Sequence, residues 1–554
     1  MIRQAIVATI LALAAMAQTP APPTPPAKGS ISGVARDVNT SVPVANAEIT
    51  ASSPPARPVN ATSDAQGRFT LPNIDPGQVQ LSARTPSVQG AGFGILTRKI
   101  VTLLAGQNLT DINIGVRTSA QISGTVRDQN DEPVPGTSVY LIAREYQLGE
   151  LRYVFTGAAT TDDQGKFVMQ RVEPGRGYLL LAMRRLNTPE PISDAPLDPR
   201  LRRPAVIPTY YPGVDTVAGA QTLTLRSGEQ RENVDIRLQR SAAFCLEGVL
   251  QGAAAGGLRF SITEASPHSG ASGDGGMYVG TADATTGPDG KVRICNLHPG
   301  QYRIHVMPTS QPGTFEPPEF FATAIQTVTN RDSGIVISPL PRIKIMGELV
   351  WAETPVESFA VPPNWIPRLE PITRTAYASE RMFPRLQAVG TFDLPPLFMD
   401  EYRFMLPPIP LAANVYVKDV TYGDHSVLRE PFRPGSAAGD QRLRIILAHD
   451  GGKVKASVED REGKKLADQF VMVLPKEIRG EAELADTAVS GQTDQNGAWT
   501  SATIAPGKYY VLASRTPFDR TPETIALLWG ARDKGKEIEI APGATVEAAT
   551  SLVN

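Results

Sequence analysis

Apolar and polar residues alternate along many short stretches of this chain. In GQYRIHV, Tyr302, Ile304 and Val306 alternate with Arg303 and His305, and in DEYRFML Tyr402, Phe404 and Leu406 stand at the same spacing. A period of two turns one set of side chains inward and the other outward, which predicts half-buried β-strands. Asp-x-x-Gly, Asp-Gly and Asn-Gly supply the positive φ of a tight turn before a strand, and a Pro-Gly ten residues later makes the next turn. Short strands separated by turns every 8–12 residues predict antiparallel sandwiches. No 3.6-residue periodicity persists over 12 residues; the best helical stretch, Glu523 to Ala531, predicts one or two turns.

The strand-and-turn phrase repeats. It reads SDAQGRFTLPNIDPGQVQLSA, DDQGKFVMQRVEPGRGYLLLA, GPDGKVRICNLHPGQYRIHV and DQNGAWTSATIAPGKYYVLA. Gly67, Gly165, Gly290 and Gly497 are each followed ten residues on by Gly77, Gly175, Gly300 and Gly507, and Gly390 with Asp400 keeps the spacing in a weaker fifth copy. Two residues after the turn glycine stands Phe69, Phe167, Val292, Phe392 or Trp499. Upstream, ISGVARD, ISGTVRD, CLEGVLQG and IMGELVW place Gly33, Gly124, Gly248 and Gly347 34 to 43 residues before their turn glycine, and VKASVED has Ala456 there. An alternating apolar phrase such as LTDINIGV or NVDIRLQ closes each copy.

The repeat predicts an all-β chain: a tandem array of about five Ig-like or transthyretin-like β-sandwich modules at 30–118, 119–241, 242–341, 342–449 and 450–554. Each is long enough to bury its own core. Before them, residues 1–17 read as a secretory signal peptide: Arg3, an apolar run AIVATILALAAMA, and the small-x-small triplet Ala15-Met16-Ala17. Residues 18–29 (QTPAPPTPPAKG) read as a proline-rich, extended linker. The mature chain has no apolar run long enough for a membrane helix. These readings predict a secreted, periplasmic or cell-surface location.

Composition narrows the function. Lys plus Arg number 54 against 56 Asp plus Glu, a formal net charge of −2, which excludes the basic footprint of a nucleic-acid binder. With 49 Pro and 48 Gly in 554 residues, the chain falls short of a low-complexity disordered composition. Two Cys exclude a disulfide-dense scaffold, and five His leave little for metal chemistry.

The sequence ISGTVRD…PVPGTSVYL…TDDQGKF…PGRGY…VDIRL of the second module resembles the carboxypeptidase regulatory-like domain, a transthyretin-like sandwich within the carbohydrate-binding-like superfamily. The first two modules fit the pattern well, the third and fifth moderately, and the fourth in outline, with the second the best match. The resemblance implies a folding signature without catalytic residues, and a carbohydrate or cell-envelope partner.

A search for chemistry agrees. A zinc carboxypeptidase needs His-x-x-Glu, and none of the five histidines has Glu at the third position after it. There is no HExxH, no GxSxG elbow and no phosphate loop, so no catalytic or metal-ligating residue and no cofactor is expected. His305 alternates out of its strand and reads as a solvated residue; His298 lies in a turn. Asp494-Gln495-Asn496-Gly497 resembles the start of a calcium loop, but Ala505 stands where the bidentate carboxylate belongs, so turn chemistry explains it. Lys–Asn isopeptide bonds known in related sandwiches are excluded in the first two modules, where Arg36 and Arg127 replace Lys; Lys344, Lys453 and Lys455 leave them open later.

Cys245 and Cys295, both in the third module, are either a disulfide or two buried thiols; export permits the bridge. An insertion in the second module carries Tyr210 and Tyr211 between Pro208 and Pro212, with Arg200, Arg202 and Arg203 nearby. Flat aromatic faces beside Arg suit stacking on a sugar ring, so Tyr210, Tyr211, Arg202 and Arg203 are the candidate carbohydrate site; the other reading has the tyrosines lock the loop onto the sandwich. Trp351, Trp365 and Tyr377 form a similar mixture in the fourth module. The expected function is an exported, non-enzymatic array binding polysaccharide or cell-envelope components. The alternatives are a mechanical spacer or adhesin stalk and, more remotely, an accessory part of a peptidase or glycosidase system.

Overall fold

The computed structural model describes residues 26–553 except 39, 54–56, 86–96, 148, 184–204, 243, 252–257, 265–281, 288, 309–321, 330, 358, 364, 372–385, 408, 410–413, 437–440 and 516. The expected signal peptide and the linker up to residue 25 lie outside the described residues.

The chain is all-β, and one topology recurs along it. In the first sandwich the strands are β1 (Gly29–Asp37), β2 (Glu48–Ser52), β3 (Val59–Thr62), β4 (Arg68–Ile74), β5 (Gly77–Arg84), β6 (Thr97–Leu103) and β7 (Asn108–Val116). One sheet has the order β4-β1-β7, the other β3-β2-β5-β6. β1 runs antiparallel to β4 and parallel to β7. The alternation does what the sequence asks: Val79, Leu81 and Ala83 of β5 are buried, while Gln78 and Gln80 are exposed. The core between the sheets holds Ile31, Ile49, Phe69, Leu71, Val101 and Ile114.

The second sandwich uses β8 (Ala120–Arg127), β9 (Ser138–Gln147), β10 (Glu150–Thr160), β11 (Lys166–Val172) and β12 (Gly177–Met183) in the same roles. In the third and fifth, the sheets repeat with Phe244–Leu250 and Lys453–Val458 as the central first strand. The fourth keeps the antiparallel-plus-parallel pairing of its first strand, Met346–Trp351, but its second layer is reduced to short strand pairs. Successive hydrophobic cores follow the chain within 31–116, 120–238, 246–337, 345–447 and 454–548.

The spacing of glycines to large residues has a steric cause. Gly33, Gly124, Gly248 and Gly347 sit on the first strands directly opposite Phe69, Phe167, Val292 and Phe392. A Cβ on Gly33 would lie 1.8 Å from the Ile112 carbonyl oxygen, one on Gly124 2.0 Å from that of Val234, and one on Gly347 1.9 Å from the Phe392 ring. In the fifth sandwich Ala456 faces Trp499, and the indole lies instead against Gly491 of the other sheet, whose Cβ would be 1.8 Å from Nε1. The exception therefore moves the same requirement to a different glycine.

Two sheets are buried on both faces. All seven residues of β12 (GYLLLAM) are buried, because residues 205–225 cover its outer face and add a second core with Tyr140, Ile142, Leu179, Leu181 and Tyr210. A sheet covered on both faces reads as a continuous apolar run, as here. In the fifth sandwich α1 (Glu481–Thr487) and α2 (Pro522–Ala531) cover the outer face, where Leu484, Ile525 and Leu528 meet Met472, Leu474 and Leu512. α2 spans ten residues, longer than predicted. Thr521 caps it by accepting from the Thr524 N–H at 3.3 Å, and Pro522 opens its first turn. No helix among the described residues is long and apolar enough to cross a membrane.

Candidate functional site

Of the residues expected to stack on sugar, Tyr210 is closed off from solvent. Tyr210 is 3% exposed and belongs to the outer core over β12; its backbone pairs with Leu181. Both faces of its ring are occupied by protein, so it holds the inserted segment to the sandwich. Tyr211 is half-buried, packs on the inner core and is followed by a cis bond to Pro212. Arg202 and Arg203 lie outside the described residues, as do Arg200 and Tyr377. Trp365 is 1% exposed, and its indole N–H donates to the Pro407 carbonyl at 2.8 Å. Cys245 and Cys295 form a disulfide that joins the first strand of the third sandwich to Lys291–Leu297. Among the described residues no group of three or more His, Cys, Asp or Glu could hold a metal ion.

A cleft that no motif in the sequence marks opens at one end of the first sandwich. It has a volume of about 410 Å³, within the range of small-molecule sites. Ala51, Val59 and Ile74 form its apolar lining, and Lys28, Arg57, Asn73 and Asp75 its polar one. The end of β2, the start of β3 and the turn after β4 bring these residues together. Lys28 pairs with Asp75 at 2.9 Å, and the exposed Arg57 stands across the opening's polar lining as a cation.

The second arrangement is the meeting of the sandwiches. The β9–β10 hairpin reaches beyond its own sandwich. Arg144 pairs with Glu523 at 2.5 Å, the Tyr146 N–H donates to the Arg520 carbonyl at 2.7 Å, and the Tyr146 hydroxyl donates to Glu481 at 3.0 Å. The Gly149 N–H donates to Asp486. Burial first, and then the bond to Glu481, raise the Tyr146 phenol above its ordinary range. On the strand returning from the tip, Arg152 pairs with Glu370 of the fourth sandwich at 2.6 Å; their side chains are 4% and 19% exposed.

The fifth sandwich also meets the fourth and the first. Arg429 donates to Glu483, and Arg479 pairs in the reverse sense with Glu430 at 2.9 Å. Burial alone would raise the Glu483 carboxyl, but the Arg479 N–H and the Arg429 guanidinium bring it below its ordinary value. Lys99 of β6 reaches both oxygens of Asp468 at 2.6 Å, and the Thr102 hydroxyl donates to Asp494 at 2.7 Å. Asp494 uses its other oxygen to close its own turn, accepting from the Asn496 and Ala498 N–H groups at 2.9 and 3.0 Å.

Burial overturns the expectation for His305. It is 2% exposed, not solvated. Alternation turns Arg303 and His305 away from their own core, but Arg303 faces Asp400 of the fourth sandwich and Glu150 of the second. Burial lowers the Arg303 guanidinium, and those carboxylates partly restore it. Burial, with a smaller contribution from Arg303, holds the His305 imidazole down to about 3. The folded chain thus keeps His305 neutral, while an unfolded chain takes up a proton below about pH 6.5. Stability contributed here is complete above that pH and falls as pH drops toward the folded value, approaching about 1.4 kcal/mol per pH unit. Hydrogen exchange of Gly300–Pro308 between pH 7 and 5 is expected to show this loss, and His305→Gln to flatten the slope.

Removing Arg152 should loosen the junction of the second and fourth sandwiches. Arg152→Ala leaves Glu370 buried without its partner, at an expected cost of about 3 kcal/mol. Exchange in Arg368–Pro371 would report the loss, and adding Glu370→Leu should recover most of it. No recovery would mean that the cost comes from lost packing.

No curated protein matches this sequence. Among solved structures, a Streptococcal ancillary pilin is similar at 13% identity over 56% of this chain and 100% of its own, with a TM-score of 0.18. The Bacillus anthracis TIE protein is similar at 12% identity over 56% of this chain, with a TM-score of 0.16, and this chain spans about half (51%) of that protein's length. The minor pilin GBS52 of Streptococcus agalactiae is 15% identical over 41% of this chain and 99% of its own, with a TM-score of 0.17. Scores this low carry no conclusion about this chain's assembly or activity. The family match is local, and it falls on the first sandwich rather than on the second, where the best fit was expected. Residues 30–117 carry a carboxypeptidase regulatory-like domain, the family whose model matches there.

Proposed function

We propose that the chain is an exported, non-enzymatic protein of five β-sandwich modules, divided at 30–118, 119–241, 242–341, 342–449 and 450–554, that binds a polysaccharide of the cell envelope. The observation that carries this reading is the cleft of about 410 Å³ on the first sandwich, where an apolar lining meets Lys28, Arg57, Asn73 and Asp75. A cleft where charged and amide side chains stand beside a few apolar groups offers hydrogen-bond partners to the hydroxylated rim of a pyranose. The disulfide fits an oxidising compartment, in keeping with the leader at 1–17.

A glycan array tests the reading. Binding that Arg57→Ala weakens while the melting profile stays unchanged supports it. No binding to any glycan rejects it.

The spacer alternative is disfavoured by the contacts of the fifth sandwich with the first and second, which an end-to-end rod would not make. Small-angle scattering separates the two. A closed body is expected near about 25–30 Å in radius of gyration, against roughly 60 Å for five modules in a line.

A further inference from the structure

β6 is an edge strand, at the end of the order β3-β2-β5-β6, and its outer side is covered by a substitute for a strand. The Gln495 side chain accepts from the Thr102 N–H at 3.0 Å and donates to the Thr102 carbonyl at 2.7 Å. One side-chain amide thus makes the pair of bonds that one residue of a neighbouring antiparallel strand would make with its N–H and C=O. Carboxylates flank it on both sides: Asp468 on Lys99 and Asp494 on the Thr102 hydroxyl. Lys99 is drawn into this edge, its side chain only 10% exposed, while Asp468 remains 44% exposed. Arg98 on the same strand is exposed.

We infer that the β6 edge is a strand-addition site for an extended acidic peptide, which the fifth sandwich occupies in the closed chain. The intramolecular occupant shows the chemistry that the edge accepts: a peptide-like amide at Thr102 and carboxylates at Lys99 and beside it. Strand addition draws affinity from main-chain hydrogen bonds and selectivity from side chains at alternate positions, and here the selecting group is a lysine. The cover is made of polar contacts, the kind of inter-domain interface for which relative motion is the default expectation. An acidic segment of another protein would exchange like for like with Asp468 and Gln495. The inference is independent of the glycan reading, because it uses a different surface and a different ligand.

The test uses the full chain and an alternating Asp-Val heptapeptide, with a Lys-Val peptide as control. Asp468→Asn with Gln495→Ala uncovers the edge and leaves Asp494 to close its turn. Hydrogen exchange of residues 97–103 should speed up in this double variant and slow again when the Asp-Val peptide is added. Its affinity for that peptide should exceed that of the unaltered chain by about tenfold or more and weaken with added salt. Adding Lys99→Gln should remove the gain, and the Lys-Val peptide should not bind.

Three outcomes would overturn the inference. Exposed amides that the peptide fails to protect would leave the cover a purely structural cap. Pairing of the uncovered chain with a second copy in place of the peptide is the second. Unchanged exchange in 97–103, showing that these contacts do not hold the cover, is the third.

Discussion

Gly33→Ala and Gly124→Ala are each expected to destabilise their sandwich by about 4 kcal/mol or more, placing them among the large effects of single substitutions. The new methyl would sit 1.8 Å from the Ile112 oxygen or 2.0 Å from the Val234 oxygen. Those atoms belong to backbone on the neighbouring parallel side of the first strand, so no rotamer change relieves the overlap. The central strand must move away from the closing strand or from its aromatic partner, Phe69 or Phe167. Hydrogen exchange should show the opening within the altered sandwich, Gly29–Val116 or Ala120–Leu238. Gly530→Ala in α2 is the control: nothing lies within 4 Å of the added Cβ, and helix propensity should make it stabilising by about 1 kcal/mol. If Gly33→Ala behaves like the control, the close approach is not the reason for the repeated glycine.

Breaking the Cys245–Cys295 bridge is expected to cost about 4 kcal/mol, chiefly by freeing a loop of 50 residues in the unfolded chain. The change should be confined to the third sandwich, whose core of Leu246, Phe260, Ile294 and Ile304 surrounds the bridged strands. A chain of several domains does not unfold in two states, so the proper measurement is local. Exchange in Leu258–Glu264 and Gly300–Pro308 should accelerate in Cys245→Ser with Cys295→Ser, while Lys453–Val458 in the fifth sandwich stays protected. Equal acceleration in both would show that the modules do not open separately.

Much of the architecture was legible because it is enforced locally. Gly67 and its counterparts Gly165, Gly290 and Gly497 all lie at φ 71–73°, a conformation that a glycine adopts without strain, so the turn leaves its mark at a fixed position. The glycine of each first strand leaves its mark differently, through close packing against another strand, as Gly33 meets Ile112 and Gly347 meets Phe392. Legibility stops where a second layer covers the first. Alternation identifies the side of a strand that faces away from its own core, but not whether that side meets water. It therefore misplaced His305, which is buried.

Of the two readings open for Tyr210, the buried ring favours the one in which it locks the loop onto the sandwich. An aromatic in a proline-rich insertion looks like surface chemistry until the partner strand is considered. GYLLLAM, with no polar alternation, was the available signal that the outer face of β12 would need covering. The short α1 carries too few residues for its period to stand out. The cleft and the inter-module ion pairs join residues that no local pattern relates.

The bond between Lys99 and Asp468 spans 369 positions, and that separation has a consequence for how the chain is made. Contacts of such range form late, because a long loop must close before they contribute. During synthesis, β6 emerges hundreds of residues before the turn that covers it. Until the C-terminal hundred residues arrive, each nascent molecule carries an open sheet edge, a known route to aggregation. A truncated product lacking residues 450–554 would keep that edge open permanently.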